Sequence, residues 1–171
     1  LVSELIFEVT KGFEGDVLNK DSVTMTTRHY PGGGAREKGR DPHFIEGEWN
    51  YYPTEGSLLK YHIPPFKAAI EAHTTSIMPY YARPSNRSAE QGLPPFAEGE
   101  QFEEVAFALN EQFLNYLRKD LEFLGYINSD TSAVIDRAFG AQDLPIEERF
   151  AKAINAGVNI LGTSAKDIDN A

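Results

Sequence analysis

The sequence predicts an α/β fold built on a parallel sheet, on two observations. Helical and strand-like segments alternate along the 171 residues in a repeated αβ order, the pattern of right-handed crossovers in either a doubly wound sheet or a (β/α)8 barrel. Successive strand candidates also end in polar or reactive residues: Arg28 and His29, then Tyr80 and Tyr81, then Asp130. A barrel assembles its site from the C-terminal ends of several strands in this way. A closed barrel takes about 250 residues, so four strands amount to half of one and the chain reads as truncated.

The elements follow in order. Leu5, Ile6 and Val9 recur at helical spacing within Ser3 to Lys11 before Gly12 and Gly15, which predicts a helix with a C-terminal stop. The β-branched run SVTMTTRHY is a strand, broken by PGGG. Residues 32–56 carry no periodicity and form a loop longer than is usual for a structureless connection. A helix starts near Ser57, is interrupted at Pro64 and Pro65, and resumes through Phe66, Ala69 and Ile70. TSIMPYY is the next strand, and residues 82–101 form a second long polar loop. Val105, Leu109, Phe113 and Leu117 mark one face of a long amphipathic helix over 103–120. GYINSD is the third strand. Pro145, the two glutamates after it and Gly157 bound a last helix before a short VNIL strand.

Composition sets limits on function. The chain is 41% hydrophobic and 25% charged, as in an ordinary globular unit. It contains no apolar run of membrane-helix length and no basic, cleavable leader, so no membrane partner is expected. Its first residue is Leu1 rather than methionine, and the compartment stays open. The absence of cysteine removes disulfide and thiolate chemistry. A net charge of -10 argues against a nucleic-acid partner, which needs clustered Lys and Arg. The glycines of PGGG lack the flanking pattern of a phosphate-binding loop.

The motifs RHYPGGG, GRDPHF, PPFKAAIEA, SIMPYY, GYINSDT and ERFAKAINAG occur in an order and spacing that resemble glycoside hydrolase family 3, of the β-glucosidase and β-xylosidase type. The resemblance covers nearly the whole chain. It implies the C-terminal half of a (β/α)8 TIM barrel: one partial glycosidase domain over 1–171, truncated at both ends, with loops 32–56 and 82–101 at its active site. It implies a carbohydrate substrate, no cofactor, no metal, and a periplasmic or secreted location.

By that resemblance Asp130 is the nucleophile that attacks the anomeric carbon with overall retention. A retaining enzyme needs an ionised carboxylate about 5–5.5 Å from its acid partner. The competing reading of Asp130 is the N-cap of a following helix. RHYPGGG resembles a Lys-His pair that binds sugar hydroxyls, with Arg28 in place of the lysine and His29 as the histidine. A planar guanidinium is a poor substitute for an ammonium in a tight site. His29 could otherwise be a satisfied core histidine. The register of SIMPYY selects Tyr81 over Tyr80 as the tyrosine beside Asp130, where its hydroxyl would orient the carboxylate; both could otherwise be half-buried packing. Arg40, Asp41 and His43 are expected to order the loop or touch the substrate edge.

Two departures follow. Thr131 stands where many members have tryptophan, removing an aromatic platform for a leaving-group sugar. The acid/base, usually a glutamate on a second α/β domain, lies outside the chain, as does the first half of the barrel; both would be partners from the same polypeptide. The expected function is thus part of a retaining exo-acting β-glycosidase. The alternatives are an N-acetylglucosaminidase with an Asp41/His43 dyad as acid/base, and a non-catalytic sugar-binding relic.

Overall fold

The computed structural model describes residues 1–89 and 100–163. Its centre is a parallel three-stranded sheet in the order β1-β3-β5, formed by β1 (Thr26–Tyr30), β3 (Ser76–Pro79) and β5 (Tyr126–Ile127). Thr27 pairs with Ile77, and Ile77 with Ile127. The VNIL segment extends the sheet only through a single parallel bridge, Asn128 to Ile160. Ile77 and Ile127, fully buried, lie beneath the aromatic core of Tyr30, Phe107 and Phe113.

Four helices accompany the strands: α1 (Val2–Glu14), α2 (Ile63–Glu71), α3 (Glu111–Lys119) and α4 (Ile146–Ala156). Several differ from expectation. Pro64 and Pro65 do not interrupt a helix. A wide helical turn over Leu58–His62 runs directly into α2, and both prolines fall in its first turn, where a missing N–H costs least. The long helix expected over 103–120 begins only at Glu111. Asn110, in extended conformation, caps it by accepting the Phe113 N–H at 3.0 Å. Val105 and Leu109 are buried outside this helix, Leu109 within a short 3-10 turn over Phe107–Leu109. The sequence pattern therefore joined two separately buried pieces.

Loop 32–56 is not structureless. It holds three 3-10 turns and a short strand, β2 (Trp49–Asn50), which pairs in parallel with β4 (Arg83–Pro84) in the second loop. Residues 90–99 of that second loop lie outside the described residues. α4 matches its expected bounds, ending at Gly157 in left-handed conformation.

At the N-terminal end of the sheet a buried carboxylate joins three elements. Glu14, 1% exposed at the end of α1, accepts the Met25 N–H at 2.7 Å and the Thr75 N–H at 3.0 Å. Hydroxyl pairs continue the tie: Thr26 with Ser76 at 2.7 Å and Thr27 with Thr74 at 2.9 Å. At the other end of the strands the chain turns towards a cleft.

Candidate active site

β1 breaks strict alternation at its end: Thr27 and Tyr30 are both buried, Arg28 is exposed and His29 is half-buried. The register slips between Arg28 and Tyr30, and the Arg28–His29 and Tyr30–Pro31 peptide bonds are cis. The glycine turn follows at once. Gly32 has φ 119°, a region other residues rarely adopt, and a Cβ on Gly33 would come 3.2 Å from the Tyr80 ring. The turn therefore lies flat against Tyr80 and His62. Asn50 of β2 secures it by donating its amide to the Gly32 carbonyl at 3.1 Å.

Asp130 follows β5 on a clamped segment. The Ser129 N–H donates to the Ile160 carbonyl at 2.8 Å, Ser129 Oγ accepts the Gly162 N–H at 2.8 Å, and the Ser132 N–H reaches the Gly162 carbonyl at 2.7 Å. The Asp130 side chain is 14% exposed. Its Oδ1 accepts the Thr131 N–H at 2.7 Å, and its Oδ2 stands 3.3 Å from His29 Nε2. The residues after it form turns, and the next helix is α4. Asp130 therefore caps no helix.

Tyr81 reaches the same place from β3. Its hydroxyl donates to the Thr131 carbonyl at 2.7 Å, which holds the backbone beside Asp130, and it stands within interaction range of the Asp130 carboxylate. Its ring lies under the Arg137 guanidinium at 4.9 Å and meets the His43 ring edge-on at 5.1 Å. Burial, reinforced by the Asp130 charge, pushes the Tyr81 hydroxyl up to about 12. His29 is shifted the opposite way. Burial disfavours its charged form more than Asp130 favours it, and Arg28 and His43 add to the fall. Nε2 of His29 is the ring nitrogen that faces Asp130.

The loop supplies the opposite wall. Asp41 Oδ1 accepts the His43 backbone N–H at 2.9 Å and lies 2.7 Å from His43 Nδ1, contacts that hold the carboxyl below its ordinary range. His29, Tyr80, Tyr81 and Asp130 from the sheet, with Gly33, Gly34, Arg36, Asp41 and His43 from the loop, enclose a cleft of 460 Å³. A larger cleft of 880 Å³ lies at the opposite end of the strands, around His73, Thr75, Arg118 and Gly125. There Arg118 is occupied by the Phe123 and Gly125 carbonyls and Asn159. The titratable groups converge in the smaller cleft.

Of the residues expected at the site, Asp130, His29, Tyr81, Asp41 and His43 come together. Arg28 is exposed and does not line the cleft, and Arg40 lines a neighbouring depression. Sequence reasoning passed over Tyr80 and Arg36. β3 ends at Pro79, so the two-residue alternation no longer separates Tyr80 from Tyr81, and both face the cleft. Arg36 is delivered by the 3-10 turns, which leave no periodic signal. Among the described residues no cluster of three or more His, Asp or Glu is arranged to hold a metal ion, and no helix is long and apolar enough to cross a membrane.

Parallel strands direct a carboxylate, an imidazole and a phenol into one cleft at their C-terminal ends, the arrangement of an α/β enzyme site. Residues 1–170 match the family described as glycosyl hydrolase family 3 N terminal domain, and the chain belongs to that family. Among curated relatives, the probable beta-glucosidase C of Aspergillus flavus is 39% identical over 173 residues, covering 95% of this chain and 25% of its own length. The periplasmic beta-glucosidase/beta-xylosidase of Dickeya chrysanthemi is 32% identical over 165 residues, covering 85% of this chain and 24% of its own. The chain thus spans about a quarter of the length of these relatives. The structure of a beta-glucosidase from Listeria innocua in complex with isofagomine superposes with a TM-score of 0.70 at 21% identity, over 93% of this chain and 20% of that one. That likeness identifies the fold as part of a (β/α)8 barrel.

Proposed function

We propose that this domain carries the nucleophile and sugar-binding groups of a retaining exo-acting β-glycosidase that removes terminal β-D-glucosyl or β-D-xylosyl residues. The observation that carries the reading is the convergence of His29, Tyr81 and Asp130, from three adjacent parallel strands, on one cleft. Asp130 Oδ2 attacks the anomeric carbon as the bond to the leaving oxygen breaks, and that oxygen takes a proton from an acid. Water then displaces the carboxylate, the same acid now acting as base, so configuration is retained. His29 donates from Nε2 to the carboxylate, which leaves Nδ1 to accept from a sugar hydroxyl, and Tyr81 fixes the turn that aims Asp130. The acid is a glutamate elsewhere in a longer polypeptide, which also supplies the remaining barrel strands. A periplasmic or secreted setting accords with the printed name of the Dickeya relative.

A second reading places the acid in the cleft, and the Asp41–His43 contact at 2.7 Å favours it. With Nδ1 held by Asp41, His43 Nε2 is the atom left to deliver a proton. NMR of the first product released by the full-length protein tests the main reading: the β-anomer is expected, and initial α-anomer would overturn it. His43→Ala separates the two acids, because only the second reading requires loss of turnover on substrates with poor leaving groups.

A further inference from the structure

We propose that the depression around Trp49 is a second carbohydrate subsite, which binds the distal sugars of a β-linked oligosaccharide whose terminal residue occupies the Asp130 cleft. The inference rests on the glycosidase reading above and deepens it. The loop segment from Arg36 to Asp41 divides the two spaces: Arg36 and Asp41 line the Asp130 cleft, while Glu37 and Arg40 line a depression of 410 Å³ on its other side. The separation is one chain thick. Arg36 also bridges to Asn50, the neighbour of Trp49, and the Tyr51 N–H donates to the Ala35 carbonyl at 2.7 Å. A substrate extending from the first space over this loop meets Trp49 next.

The depression has the chemistry of a site for a neutral polyol. Trp49, the chain's single tryptophan, is half-buried, and the Arg83 guanidinium stacked 3.8 Å from its ring fixes it in place. Arg83 is in turn paired with Glu48 at 2.7 Å. Arg87 grips Glu37 through two bonds, 2.9 and 2.8 Å, and lies 5.5 Å from the same indole. These groups are pre-positioned, so little ordering is required on binding. Others remain available. Arg40 donates to the Glu46 carbonyl at 3.5 Å, its side chain's one hydrogen bond among the described residues, and both Arg40 and Glu46 line the depression. Three carboxylates, Glu37, Glu46 and Glu48, and two guanidiniums, Arg40 and Arg87, line the depression, while Arg83, paired with Glu48, stands outside the lining. With both signs side by side, a sugar, which offers hydroxyls to both and a C–H face to the indole, matches the lining better than an ion of either sign.

The test compares cellotetraose with p-nitrophenyl β-glucoside in the full-length protein carrying Trp49→Ala or, where the first fails to fold, the exposed Arg40→Ala. KM for the tetrasaccharide is expected to rise about tenfold, the loss of one good contact. KM for the aryl glucoside, which ends before the depression, is expected not to move. Equal changes for both substrates, or none, overturn the subsite. Calorimetric titration of an Asp130→Asn background with cellotetraose keeps this outcome distinct from the fate of the nucleophile. Binding weakened about tenfold by Trp49→Ala upholds the subsite even where the parent protein hydrolyses neither substrate. Binding indifferent to Trp49→Ala removes it and leaves the role of Asp130 untouched.

Discussion

His29 Nε2 lies 3.3 Å from Asp130 Oδ2, although the two residues belong to opposite edges of the three-stranded sheet. β3 lies between them, and both side chains come from strand ends where the regular ladder has stopped. The contact leaves Oδ1 to the Thr131 N–H, so each carboxylate oxygen has a separate partner.

Replacing the carboxylate by an amide keeps that shape and removes the charge. Asp130→Asn in the full-length protein is expected to lower kcat by roughly three orders of magnitude or more. Its thermal unfolding should shift by no more than about 1 kcal/mol. Near-normal turnover in steady-state kinetics would reduce Asp130 to a turn residue.

The depressed His29 titration has a definite sign. The unfolded chain takes up the proton first, so the stability that a neutral His29 contributes is fully present above its ordinary value of about 6.5. It is lost as pH falls through the lower folded value. An NMR titration of the ring should give a midpoint below about 6.5. Asp130→Asn, which removes the attraction opposing burial, should lower it further. A midpoint that rises in that variant contradicts the assignment.

Tyr81→Phe removes the hydroxyl that holds the Thr131 carbonyl. The lost bond should cost about 1 kcal/mol in denaturant unfolding. The loosened turn should reduce kcat by about ten- to a hundredfold, with KM little changed. In the unsubstituted protein the Tyr81 hydroxyl titrates at about 12. Its contribution to stability is therefore complete below its ordinary value of about 10 and fades as pH rises towards the folded one.

Gly47→Ala tests the loop wall. A Cβ there would lie 2.1 Å from the Asp41 carbonyl oxygen and 2.7 Å from the Pro42 nitrogen, both backbone atoms with little freedom to yield. The loop must shift, at an expected cost of about 1–3 kcal/mol. The Asp41–His43 contact should open, seen as a rise in the Asp41 carboxyl titration, which the His43 contacts hold down. An unchanged titration and melting curve would show that the loop absorbs the methyl group without moving that pair.

The alternation of helices and strands was legible because buried strands and amphipathic helices leave different periods. Asp130 and Tyr81 were legible through their places in short motifs at strand ends. Other features leave no local mark. Val105 and Leu109 continue the spacing of Phe113 and Leu117, and only the capping Asn110 betrays that the helix starts after them. Prolines read as interruptions at 64 and 65 because the wide turn before α2 has no sequence signature. β2 and β4, two residues each, are too short for periodicity and form only because the two loops meet. Arg28 sits in the motif beside His29, yet it stands exposed outside the cleft, at the point where the β1 register slips.

The tie at Glu14 has a consequence for how the protein diversifies. The C-terminal end of α1 is fastened to the N-terminal ends of β1 and β3 through Glu14, Thr74, Thr75 and Ser76, and none of these residues lines the Asp130 cleft or the Trp49 depression. Scaffold and specificity are therefore written in separate sets of residues. Mutational drift in loop 32–56 is free to explore new glycosides without eroding the fastening. A substitution at Glu14 is penalised whatever the cleft holds, because it strands the Met25 and Thr75 N–H donors. Sequence change among descendants of this chain should accumulate on one end of the sheet and be purged from the other.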